Sequence, residues 1–123
     1  MSFDWKNYIL LSQKMLKNRD EASFRTSVSR AYYGVFCIAR NIKGFANEKY
    51  GVHTKVIDAY KNSNNQIDQK IGKNLDELKR GRIKSDYLEN EEIKKNYAER
   101  MVILANKVFE KLNEQYIKMN DGY

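Results

Sequence analysis

The sequence predicts an all-α protein, a bundle of about five helices. Three observations carry this. Proline is absent from all 123 residues, so no helix loses an amide donor or meets a ring clash. Apolar residues recur at three- and four-residue spacing, the repeat of one helix face. Sustained apolar–polar alternation, the mark of a half-buried strand, is found nowhere.

The first row, Trp5, Tyr8, Ile9, Ser12 and Leu16, predicts a helix from about Asp4 to Lys17. Asp20 then offers an N-cap and Glu21 a favourable first-turn charge for a second helix. Its buried row reads Phe24, Val28, Ala31, Tyr32, Val35, Ala39 and Ile42, and Gly44 ends it. Phe45 to Val52 is expected as a loop, followed by a short third helix with Val56, Ile57 and Tyr60 on its apolar side. After the turn Asn62-Ser63-Asn64-Asn65, the row Ile67, Ile71, Leu75 and Leu78 marks a fourth helix. The stretch Ser85 to Asn90 breaks that pattern. Asn90, Glu91 and Glu92 are expected to open the longest helix, with Ile93, Tyr97, Met101, Leu104, Val108, Leu112 and Tyr116 in one stripe. A second apolar flank on that helix, Ile103, Ala105, Phe109 and Met119, is wider than one layer of neighbours readily covers, which favours a homodimer over the other reading, scattered apolar residues left in solvent.

Composition fits one domain spanning residues 1–123, with 41% apolar and 12% aromatic residues, enough for a single core. The lone Cys37 cannot form an internal disulfide, and no signal-like or membrane-spanning run is present, so a soluble cytoplasmic protein is expected. One histidine and one cysteine form no metal-ligand cluster, and the six glycines form no phosphate loop, so neither metal nor cofactor is expected. The net charge of +7 favours polyanionic partners, because each neutralised phosphate releases counterions. A lysine-rich surface that serves only solubility is the competing explanation. Seven basic residues against three acidic ones between Lys61 and Lys84 place the local excess on the fourth helix.

Following that helix's apolar row one turn beyond Leu78 reaches Arg82, and four residues later Asp86. Two readings are open. The pair closes the helix end as a local ion pair, or Arg82 stands at a cleft mouth where a guanidinium grips phosphate. The second helix carries a polar stripe, Thr26, Arg30, Tyr33 and Cys37, with Ser29 beside it. Arg30 and Tyr33 lie one turn apart and reach a common ligand in one reading; in the other, Tyr33 is core and Arg30 is solvated. Tyr32 reads as core. His53 is a further ligand-binding candidate, set against a capping or packing role at the start of the third helix.

At Ser29-Arg30-Ala31-Tyr32-Tyr33-Gly34-Val35-Phe36 the sequence resembles the HEPN superfamily, whose second helix commonly carries S-R-A-Y-Y-A-x-F. Gly51-Val52-His53-Thr54-Lys55 is similar to the family's segment around a histidine, and Arg82-Ile83-Lys84-Ser85-Asp86-Tyr87 resembles the R-x-x-A-D-Y signature of its single-domain prokaryotic branch. The resemblance implies an antiparallel four-helix bundle with a short extra helix, usually homodimeric, and a role with RNA or nucleotides. Many relatives are metal-independent ribonucleases acting as toxins or phage-defence effectors; others are interaction modules that partner a nucleotidyltransferase or antitoxin. Nuclease members place a histidine four to six residues after an arginine. Here Asp86, Tyr87 and Leu88 follow Arg82 at those distances, and Cys37 replaces another common histidine. Arg82 and Asp86 are therefore the catalytic candidates, with Arg30, Tyr33, Tyr87 and His53 as ligand-binding ones. An ordinary aspartate, with a pKa of about 3.9, is a weak base at neutral pH.

Overall fold

The computed structural model describes residues 2–121, with side chains described as far as Ile117. Five α-helices account for the regular structure among them: α1 (Lys6–Met15), α2 (Glu21–Ile42), α3 (Val52–Lys61), α4 (Gln66–Tyr87) and α5 (Lys95–Asp121). No strand occurs among the described residues, so the all-α bundle read from the sequence is the observed fold. α2 lies at its centre and packs against every other helix.

Local chemistry sets the helix ends. The Asp20 carboxylate accepts the Ser23 amide at 2.8 Å, satisfying one of the orphan donors of α2. Asn65 does the same for α4, accepting from Ile67 and Asp68. Gly44, at φ +81°, leads the chain out of α2 in the left-handed conformation that glycine adopts without a Cβ penalty.

The core is the one the periodicity outlines. Val28, Ala31, Tyr32, Val35 and Ala39 of α2 are fully buried, as are Ile71, Leu75 and Leu78 of α4. Each aliphatic side chain of Val size or larger contributes roughly 1.5–3 kcal/mol by leaving water. Burying Leu75 and Leu78 also fixes the rotation of α4 about its axis, which turns Arg82, one turn on, towards α2 rather than solvent.

Several expectations are corrected. α1 is shorter than Asp4–Lys17, because Asp4 lies outside it, and Trp5 and the residues after Met15 form turns. Ile67 is exposed: it lies in the first turn of α4, before the helix meets its neighbours. α4 continues through Tyr87 instead of breaking at Ser85, so Arg82 and Asp86 share a helix. α5 starts at Lys95 and not at Asn90. The intervening backbone is engaged elsewhere: the Glu91 carbonyl accepts from Arg25, and the Ile93 amide donates to the Glu21 carboxylate at 3.2 Å. On α5, Tyr116 and Ile103 are exposed, whereas Ala105 is buried within the chain itself. Met119's side chain lies outside the described set. No helix among the described residues is long and apolar enough to cross a membrane.

Candidate functional site

Arg82 is the anomaly of the core. It is 8% exposed, and its Nε is buried without a hydrogen-bond partner. Its closest carboxylate contact is Asp86, with Nη1 and Oδ2 3.9 Å apart, beyond hydrogen-bond reach. Aromatic faces hold it instead. The guanidinium carbon lies 5.2 Å from the Tyr33 ring, 5.8 Å from Tyr32 and 5.9 Å from Tyr87. Cation–π contact stabilises such a charge by about 0.5–2 kcal/mol but supplies no acceptor to its N–H groups. The result is a desolvated cation with donor capacity to spare.

A relay of polar groups ties α2 to the end of α4. Ser29 Oγ donates to Asp86 Oδ2 at 3.1 Å and accepts from Arg30 Nη2 at 3.2 Å. The Arg30 guanidinium is in turn stacked near two rings, 4.9 Å from Tyr8 and 5.0 Å from Tyr33. Trp5, Tyr8, Arg30, Tyr33, Cys37, Asp86 and Tyr87 line a cleft of 460 Å³, within the range of small-molecule sites. Tyr87, 69% exposed, stands at its mouth.

His53 sits apart from that cleft. It follows Gly51, whose φ of +61° turns the chain into α3. Its ring stacks on Phe36 at 4.2 Å, and Nδ1 lies 2.6 Å from the Tyr32 hydroxyl. Burial, then the charges of Arg82, Lys79 and Arg40, pushes its pKa down to about 4. Burial likewise pushes the Tyr32 phenol well above its usual range. With the phenol holding its proton and the imidazole neutral, the two groups share one hydrogen bond, in which the O–H donates when the ring carries its hydrogen on Nε2. The Cys37 thiol is also pushed up by burial, which keeps it from acting as a thiolate.

Of the six residues expected at a site, Arg30, Tyr33, Asp86 and Tyr87 line one cleft. Arg82 touches the rings of two of them, and His53 meets this group only through Tyr32 and Tyr33. Trp5 and Tyr8 were missed as site residues because they complete an ordinary amphipathic row. Their one legible signal was two aromatic rings a turn apart on the same face.

No curated protein and no solved structure is significantly similar to the chain. The HEPN domain profile matches residues 12–115. That span takes in α2, α3, α4 and most of α5, with all six candidate residues, while Trp5 and Tyr8 precede it. HEPN domains work in general with nucleotides and RNA and often dimerise. On that match and on its helical bundle, the chain belongs to the HEPN domain family.

Proposed function

We propose that this protein binds RNA or a nucleotide in the cleft beside Arg82. The observation that supports the reading is the buried guanidinium of Arg82, caged by three tyrosines and left with an unpartnered Nε. A phosphate oxygen is the acceptor such a group lacks, and a desolvated guanidinium binds it strongly. Arg30 adds a second cation at the cleft wall, and the exposed ring of Tyr87 offers a stacking face for a base. Asp86, fixed by Ser29, is placed to accept from a ribose hydroxyl. The +7 net charge adds long-range attraction.

A second reading, metal-independent cleavage by a toxin or phage-defence effector, is favoured by one observation: a carboxylate, Asp86, lines the cleft with Arg30 and lies 3.9 Å from Arg82. It would take the 2′-OH proton as the 2′ oxygen bonds to phosphorus, Arg82 would stabilise the phosphorane, and as the P–O5′ bond breaks the leaving 5′ oxygen would take a proton from water. His53 is ill suited to that work, since its Nδ1 is occupied by Tyr32.

The test is fluorescence anisotropy of the pure protein with a labelled single-stranded RNA of about 20 nucleotides and with tRNA, beside Arg82→Ala. Binding by the wild type, weakened at least about tenfold in the variant, is expected. Shortened RNA ending in 2′,3′-cyclic phosphate, absent with Arg82→Ala, would establish the ribonuclease. A folded wild type with no affinity for either RNA would overturn the binding reading. It would favour a module that docks a nucleotidyltransferase or antitoxin partner.

A further inference from the structure

Arg25 of α2 contrasts with Arg82 in every respect. A guanidinium has five N–H groups, and Arg25 commits all five. Nε donates to the Glu21 carboxylate at 2.9 Å. Nη1 donates to the carbonyls of Ser85 and Lys84 at 2.9 and 3.3 Å. Nη2 donates to the carbonyls of Leu88, at 3.3 Å, and Glu91. Nothing is left for a ligand.

These acceptors are the terminal carbonyls of α4 and the backbone beyond it. The carbonyls of Lys84 and Leu88 also accept the amides of Leu88 and Glu91, both at 3.1 Å, so Arg25 chiefly serves those of Ser85 and Glu91, at a helix end where a left-handed glycine is the common cap. α4 has no such glycine: it ends on Leu88 at φ −99° and ψ 86°. The side chain from α2 takes the place of the missing cap. Glu21 completes the clasp by accepting the Ile93 amide while it holds Arg25.

The turn so clasped carries Asp86 and Tyr87. Both line the Arg82 cleft on one side and, on the other, a hollow shared with Glu21, Arg25, Ser85 and Glu89. We propose that Arg25 is a positioning residue for the ligand cleft, acting through the last turn of α4 to hold Asp86 and Tyr87 in place. This rests on the binding reading above. Free of the clasp, the final turn frays and the mouth of the cleft loses its shape.

Arg25→Lys tests it, because lysine keeps the charge but cannot span carbonyls on both sides of the turn. With the labelled 20-nucleotide RNA as probe, affinity is expected to fall about tenfold. The dependence of log Kd on log salt should keep its slope, since no phosphate contact is lost. Introduced into a Tyr87→Ala background, Arg25→Lys should cost less affinity than it does in the wild type, because one of the two residues it positions is already gone. Hydrogen exchange at the amides of Leu88 and Ile93 should accelerate while that of Val28 and Leu75 stays slow.

Full affinity in Arg25→Lys, a reduced salt slope, or losses that add fully on Tyr87→Ala would each overturn the proposal. Wild-type binding that is lost in Arg82→Ala but kept in Arg25→Lys overturns it alone; no wild-type binding overturns the cleft reading as well. Should Arg25→Lys fail to fold, Glu21→Gln loosens the same clasp, and unchanged affinity there overturns the proposal.

Discussion

The hydroxyl of Tyr32 and Nδ1 of His53 lie 2.6 Å apart, joining the middle of α2 to the first turn of α3. The pair gives a histidine that stays neutral at physiological pH a structural role. It also fixes the ring against which Arg82 rests.

That pairing carries a pH dependence. The unfolded chain takes up a proton on His53 as pH falls through about 6.5, whereas the folded protein resists until about pH 4. The unfolded state binds more protons in that window, so stability falls as pH drops from about 6.5 towards 4. Thermal melts at pH 7 and pH 5 should show a larger loss for the wild type than for His53→Gln. Equal losses would show that His53 titrates alike in both states.

Arg82 should be expendable for folding and required for binding. Its charge is buried with one weak ionic contact and an unsatisfied Nε, an arrangement that an apolar side chain of similar length relieves. Arg82→Met is expected to leave the unfolding free energy unchanged or raise it by about 1 kcal/mol. The same variant should lose RNA affinity at least about tenfold. A marked fall in Tm with affinity intact would make Arg82 a purely structural residue.

Asp68 is a latch of the opposite kind. It is 8% exposed and accepts from Gln115 at 2.7 Å, Ser63 at 2.8 Å and Lys43 at 3.2 Å. Burial works to raise its pKa, but the bonds from Gln115, Ser63 and Lys43 outweigh it and leave the pKa below the ordinary value. Its stabilisation is therefore present above the unfolded pKa of about 3.9 and lost as pH falls through the lower folded value. Asp68→Ala should cost about 2 kcal/mol in urea unfolding at pH 7. It should also flatten the acid limb of the stability curve. A variant as stable as the wild type would show these donors are as well served by water.

Gly34 sets how closely α1 approaches the cleft. A Cβ there would lie 2.7 Å from Ile9 Cγ1 and 3.2 Å from the backbone of both Ile9 and Trp5. Gly34→Ala should cost about 1–3 kcal/mol by pushing α1 outward. RNA affinity should fall with it, as Trp5 and Tyr8 leave the cleft wall. Undiminished affinity in the folded variant would remove α1 from the site.

Elements with a strong local signal were legible in the residues themselves. The Asp20 cap, the buried row from Val28 to Ala39 and the exit at Gly44 depend on side chains a few residues apart. The start of α5 was not. Asn90-Glu91-Glu92 has the composition of a helix opening, but Arg25 and Glu21, some 70 residues earlier, hold its backbone in other bonds. Local propensity yields where a tertiary contact satisfies the same groups.

The same division runs through the site. By itself the sequence determined the helical bundle and the placement of Arg82 on the core-facing row of α4. These follow from the 3.6-residue period, which any stretch of chain carries within it. Only the tertiary structure decided that Arg30 lies between Tyr8 and Tyr33, that Ser29 holds Asp86, and that His53 turns to Tyr32 rather than into the cleft. It also separated two arginines that look alike in the chain, saturating Arg25 and leaving Arg82 with an open donor. The reason is physical: how many acceptors a guanidinium meets depends on which helices pack around it, and spacing along one helix does not encode that.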